Sequence, residues 1–236
     1  MIQFFAPDIL SNPVLPETDS QHCVKVLRMQ AGDNVQVVDG YGHLCHCTLV
    51  DPHSKHALLK VESIEDKPLP WAQNITIAVA PTKMMDRMEW LVEKLVEVGV
   101  NRIIPIKCRY SERKEIKEDR LRKIAVSAMK QSLKATLPEI TPMLPFAEAL
   151  SLISEKQKFI AHCEDDKPRA PLAKAYRPFT DAAMLIGPEG DFSPQEIEMA
   201  FASGFVPVTL GDNRLRTETA ALYSCSAFHI IDDANI

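Results

Sequence analysis

From Ile75 onward the chain repeats one pattern: a short continuous apolar run, then a longer stretch whose apolar residues fall at helical spacing. Ile75-Thr76-Ile77-Ala78-Val79 is the first run. Met84, Met88, Leu91, Leu95 and Val98 follow three or four residues apart, and Gly99 supplies a stop. Val100 to Ile106 opens the next cycle. A strand that is apolar on successive residues is buried on both faces, which requires amphipathic helices on both sides of a parallel sheet. The pattern therefore predicts an α/β domain with a mainly parallel sheet. It continues through a basic amphipathic helix with Leu121, Ile124, Ala128 and Met129 facing inward, and a helix over 146–153. Strands over 159–161, 183–186 and 205–210 and a closing helix over 217–231 complete it.

The first 70 residues read differently. Strands are expected over 34–38, 43–50 and 57–63, with Asp39-Gly40-Tyr41-Gly42 as a turn. Residues 20–29 form a plausible short helix ending near Gly32. Lys67-Pro68-Leu69-Pro70 is a proline-punctuated linker. Two domains are expected, a small β-rich one over 1–70 and an α/β one over 71–236.

Composition limits the class. With 46% hydrophobic and 25% charged residues, the chain is globular rather than disordered. No apolar run approaches the ~18 residues of a membrane span. The N-terminus MIQFFAPDIL has no basic region or cleavage site, so the expected compartment is the cytoplasm. The six cysteines form no C-x-x-C pair and read as reduced thiols. His43, Cys45, His46, Cys47, His53 and His56 are ligand types for zinc. Strand alternation, however, puts Cys45 and Cys47 on one face and His46 on the other, so no metal is expected and the polar residues are taken to face solvent.

The net charge of −5 argues against a uniformly basic nucleic-acid binder. Between Arg102 and Lys134, however, eleven Lys/Arg face four acids, a local excess of seven positive charges. Such a segment suits RNA phosphates, although a solvated helix face explains most charge runs.

The chemistry concentrates near the C-terminus. Four of the eight glycines fall between Gly187 and Gly211. Ala183-Met184-Leu185-Ile186 runs into Gly187-Pro188-Glu189-Gly190, and Val206 to Leu210 runs into Gly211. Ligands in open α/β sheets bind beyond the carboxyl ends of strands, and glycine permits close backbone approach, so both loops fit one pocket. Ser193-Pro194-Gln195-Glu196 is a capping box whose role is structural. After the second loop, Arg214-Leu215-Arg216-Thr217-Glu218-Thr219-Ala220 leads into a helix, with a threonine as candidate cap. Glu218 suits the helix dipole. Arg216 does not, because a cation at a helix N-terminus is mildly unfavourable, and an anion or substrate contact explains it better. There is no G-x-G-x-x-G, no P-loop and no G-x-S-x-G.

GPEGDFSPQEIEMA and LGDNRLRTETA resemble the C-terminal signature of the RsmE-type methyltransferases of the SPOUT superfamily. HCVKVLRMQAGDNVQVVDGYG is similar to their N-terminal segments, and KMMDRMEWLVEKLVEVGVNRIIPIKCRYSER and AMKQSLKATLPEI to their central blocks. The resemblance implies an N-terminal PUA-like β-barrel that binds RNA. It also implies a C-terminal α/β domain tied in a trefoil knot that holds S-adenosylmethionine and dimerises. The implied reaction is methylation of N3 of a uridine in small-subunit (16S) ribosomal RNA by a homodimer. By motif, the cofactor residues are Leu185, Ile186, Gly187, Pro188, Glu189, Gly190, Leu210, Gly211, Leu215, Arg216, Thr217 and Thr219. Arg216 and Glu218 carry the catalytic expectation, and His22, Arg28, Arg109 and Arg113 the RNA-binding one. The chain departs from the family pattern at Gln3, where an arginine is common, at Asp191, the usual second glycine of the loop, and at Asp212-Asn213-Arg214, usually Pro-Arg-Ile. The alternatives are a SPOUT enzyme with another RNA target and a non-catalytic RNA-binding protein.

Overall fold

The computed structural model describes residues 2–164 and 168–236, which divide into two compact units. The first comprises Met1–Trp71 and Val126–Leu137, and the second Ala72–Ala125 and Pro138–Ile236. The 126–137 segment thus packs with the first unit, although a linear division at residue 70 leaves it with the second.

The first unit holds a four-stranded sheet in the order β1-β2-β3-β4: β1 (Gln3–Phe5), β2 (Asn34–Val38), β3 (His43–Asp51) and β4 (Leu58–Asp66). β1 runs parallel to β2, and the other pairs are antiparallel. The expected helix over 20–29 forms earlier. α1 (Glu17–Gln21) starts after Pro16, whose φ of −53° suits a helix start, and continues into a single π-helical turn, His22–Val26. Arg28, at φ 56°, reverses the chain well before Gly32. Cys45 and Cys47 lie in the core of this unit with Phe4, Val37 and Leu49. Burial pushes the Cys47 thiol up to about 12, so it carries no thiolate at neutral pH. His46 faces outward beside Glu65, and His53 stacks on His56.

The second unit is built on a sheet whose registered pairs are all parallel. Its strands are β5 (Ile75–Val79), β6 (Arg102–Lys107), β7 (Glu139–Ile140), β8 (Leu144–Pro145), β9 (Gln157–Ala161), β10 (Ala170–Pro171), β11 (Ala182–Ile186) and β12 (Val206–Thr209). The order is β10-β12-β9-β11-β5-β6-β7, with β8 also on β6. All five residues of β5 and of β11 are buried, as the apolar runs require. α4 (Phe146–Leu152) and α6 (Pro194–Ala202) pack Phe146, Leu150, Ile197 and Ala200 on Ile104, Ile160 and Leu185. α2 (Met85–Val98) packs with α7 (Thr217–Asp233), whose Phe228 lies 6.1 Å from Phe159 of β9.

The periodicity of α2 needs adjusting at its ends. Met88, Leu91 and Leu95 are buried with Val92 and Val96, while Met84 caps the helix in extended backbone and is exposed. Gly99 ends α2 at φ 129°, and its carbonyl accepts from His229 Nε2 of α7 at 2.7 Å. In α3 (Glu118–Gln131), Leu121, Ala128 and Met129 are buried, Ala125 takes a core position and Ile124 is only half-buried.

Near the end of α7 the buried Asp232 carboxyl accepts from Gln73 Nε2, from the Tyr176 hydroxyl at 3.1 Å and from Phe179 N at 2.7 Å. Removing it takes this acceptor from three donors, two of them on buried side chains, and leaves the Tyr176 hydroxyl only the longer contact to Thr180 O at 3.4 Å. Asp232→Ala is expected to lower unfolding free energy by about 3 kcal/mol, read from the midpoint of urea denaturation at unchanged slope.

Candidate active site

β11 lies between β5 and β9, and β12 between β9 and β10, so strands late in sequence fill positions between earlier ones. The exits of β9, β11 and β12 are consequently neighbours. They line a cavity of about 600 Å³ together with the first turns of α7. Its walls include Ile186 to Asp191, Thr209 to Gly211 and Asn213 to Glu218. Both glycine-bearing loops thus open into one pocket. Such crevices beyond the carboxyl strand ends, where chain order reverses, are the usual ligand sites of open α/β sheets.

The loop after β11 is held rigidly. Ser193 Oγ accepts from Glu196 N, and Glu196 Oε2 accepts from Ser193 N at 2.8 Å, which completes the capping box of α6. A Cβ on Gly187 would lie 3.1 Å from the Phe192 ring, and one on Gly190 3.1 Å from Tyr110 Cβ. Glycine is needed here for close approach. Two carboxylates of this loop and one from the first turn of α6 reach backbone N–H groups at three other strand exits. Glu189 Oε1 accepts from Lys83 N at 3.1 Å, Asp191 Oδ2 from Cys163 N at 2.8 Å and Glu196 Oε1 from Arg109 N at 2.8 Å. Those residues follow β5, β9 and β6 respectively.

At the other wall Thr217 Oγ1 donates to Gly187 O at 3.1 Å, joining the two glycine loops. A threonine was the candidate cap of α7. The N-cap is instead Arg216, in extended backbone without a side-chain cap, because the Thr217 hydroxyl is committed to Gly187. The Arg216 side chain is exposed, lines the cavity, and has no hydrogen-bond or ion-pair partner among the described residues. Glu218 is buried and sits 3.6 Å from Arg87 of α2.

The other expected site residues fall as follows. Pro188, Leu210, Gly211 and Leu215 line the cavity with Ile186, Gly187, Glu189 and Gly190. Leu185 is one residue further inside, in the core, and Thr219 is exposed on α7 and does not line the cavity. His22 packs edge-on against Phe4, and Arg28 is exposed. Arg109 is exposed, whereas Arg113 donates to Thr82 O at 3.2 Å and Lys83 O at 2.6 Å, bracing the segment after β5. Of the eleven cations between 102 and 134, Arg102 pairs with the buried Glu155 at 2.7 Å, Arg120 with Glu89 and Lys130 with Asp19. Lys107, Arg109, Lys114, Lys117, Arg122 and Lys123 remain exposed.

Sequence reasoning missed Arg87 and the β9 exit, from Ala161 to Cys163, which also line the cavity. No local motif marks Arg87. The β9 exit was findable, because it too is the carboxyl end of an apolar strand.

Residues 69–229 match the family of RNA methyltransferase domains, and residues 15–62 match the RNA methyltransferase PUA domain. The chain is 27% identical to the ribosomal RNA small subunit methyltransferase E of Bacillus subtilis, over 87% of this chain and 85% of that one. A probable rRNA-methyltransferase from Porphyromonas gingivalis shares its structure with a TM-score of 0.95 at 42% identity, both chains covered completely. A ribosomal RNA small subunit methyltransferase E from Neisseria gonorrhoeae, solved bound to S-adenosyl methionine, has a TM-score of 0.85 at 28% identity over 98% of each chain. The parallel sheet, the cavity at its switch point and these matches together place the chain in the RNA methyltransferase family, with a PUA domain ahead of an α/β catalytic domain.

Proposed function

We propose that the protein transfers the methyl group of S-adenosylmethionine to N3 of a uridine in small-subunit ribosomal RNA. The observation that carries this reading is Arg216, a guanidinium without a partner among the described residues, at the rim of a cavity built from strand-end loops. Residues 1–70 are assigned as the PUA-like RNA-binding domain and 71–236 as the methyltransferase domain. The trefoil knot implied by the sequence resemblance is consistent with β11 and β12 lying between earlier strands.

The cavity suits the cofactor. Its volume falls in the range of small-molecule sites, and Ile186, Leu210 and Leu215 offer apolar surface for an adenine. Backbone groups of Gly187 to Gly190 and Leu210 to Thr219 supply polar partners. Glu189, Asp191 and Glu218 supply negative charge for a cationic ligand. When bound, S-adenosylmethionine contributes an electrophilic methyl group on a sulfonium.

The protein's own task is to make uracil nucleophilic. Neutral N3 holds a proton that must leave before or during attack. The Glu218 carboxylate, kept at the cavity by Arg87, accepts that proton. The Arg216 guanidinium, too basic to act as acceptor, stabilises the negative charge spreading over the uracil oxygens. A uridine splayed from its strand reaches the pocket, and the exposed cations of 107–123 meet the flanking phosphates.

No helix among the described residues is long and apolar enough to cross a membrane, and the cytoplasm, where ribosomal RNA is modified, is the proposed compartment. The proposed homodimer uses exposed apolar residues of α2 and α7, namely Trp90, Tyr223 and Ile230.

Two measurements check this reading. Radiolabelled S-adenosylmethionine offered with undermethylated small ribosomal subunits, free 16S RNA and transfer RNA is expected to place label in 3-methyluridine of the ribosomal RNA. Label in another nucleoside would keep the fold and overturn the target, and no label from folded protein would favour a binding role. Arg216→Ala is expected to lower kcat by about a hundredfold while the Kd for S-adenosylhomocysteine moves less than about threefold. Equal losses in both would remove Arg216 from catalysis.

A further inference from the structure

Asp191 occupies a position that asks for a glycine. Its φ of 65° is left-handed, a conformation that L side chains adopt at a cost and that Asp and Asn tolerate better than most. Its N–H donates to Pro188 O at 2.9 Å, so Pro188 to Asp191 is a closed turn. Glycine would fit this turn more easily, yet a carboxylate stands there. Its Oδ2 accepts from Cys163 N at 2.8 Å, two residues beyond the end of β9. Asp191 and Cys163 both line the cavity. A second bond steadies the same segment, from Arg169 Nη1 to His162 O at 2.6 Å.

We infer that Asp191 is a positioning residue for the cofactor, binding the β9 exit to the loop after β11 and so fixing the wall of the pocket on that side. The inference rests on the cofactor reading above. A glycine would remove this tie and leave 162–164 to its remaining bonds, so that cofactor binding would have to fix more of the wall, which lowers affinity. Backbone strain and cofactor affinity therefore pull in opposite directions at this residue. That opposition separates positioning from general stabilisation.

The test compares wild type, Asp191→Gly and Asp191→Asn. Calorimetry gives the Kd for S-adenosylhomocysteine and the Tm of each ligand-free protein, and kinetics gives KM for S-adenosylmethionine against kcat. Asp191→Gly is expected to weaken binding roughly fivefold, the scale of one hydrogen bond at an exposed site, while its Tm holds or rises as the left-handed cost is relieved. KM should rise more than kcat falls, because the tie serves ground and transition states alike. Asp191→Asn keeps an acceptor oxygen and tolerates the conformation, and should stay within about threefold of wild type. Wild-type affinity in the glycine variant would overturn the inference. So would a Tm that falls in step with affinity, or an asparagine variant as weak as the glycine one. Failure of the wild type itself to bind S-adenosylhomocysteine would overturn the cofactor reading and this inference with it.

Discussion

Three carboxylates, two on the loop after β11 and one in the first turn of α6, organise the catalytic end of this molecule. Glu189, Asp191 and Glu196 accept hydrogen bonds from backbone N–H groups that follow β5, β9 and β6. Strand exits carry N–H groups that no ladder satisfies, and leaving them unpaired is unfavourable. A charged acceptor at each is worth about 1.5–3 kcal/mol where water is excluded, and less at the exposed Lys83 and Cys163. The arrangement turns loops that would move independently into one frame around the cavity. Arg113 extends it by donating to Thr82 O and Lys83 O, and Thr217 closes it by donating to Gly187 O.

That frame depends on the position of β11. It pairs along its whole length with β5 on one side and β9 on the other, with Met184 opposite both Ile77 and Phe159. A strand held by ladders on both sides and buried on both faces has no freedom to shift register, since a slip by one residue would exchange its two faces. Gly187, the next residue, is therefore delivered to one place. From there Phe192 and the capping box of α6 leave the loop little choice of path. Rigidity of this kind suits a methyl transfer, in which alignment of donor and acceptor supplies much of the rate.

Much of this was legible along the chain. The buried strands β5, β6 and β11 showed as continuous apolar runs, the helices α2 and α7 as periodic ones, and the capping box as Ser193-Pro194-Gln195-Glu196. Elements of two or three residues, such as β1, β7, β8 and β10, gave no signal, because alternation needs more residues than that to register. The helix expected over 20–29 was displaced because Arg28, rather than a glycine, takes the left-handed position that ends it. The excess of charge between 102 and 134 was real. Not all of it is available to phosphates or solvent, since Arg102, Arg113, Arg120 and Lys130 serve bonds within the fold.

Local sequence determined which segments become strands and helices and which loops carry glycine, because backbone propensity, capping and face burial act over a few residues. It also placed Arg216 and Glu218 together at the start of α7. Tertiary structure alone decided the strand order, and with it the meeting of the β9, β11 and β12 exits in one cavity. It decided that Arg87, 131 positions from Glu218, is its partner, and that Asp191 holds Cys163. The physical reason is one of range. Propensity is read from neighbours in sequence, whereas a side-chain partner is chosen by the distances that remain once the core has packed.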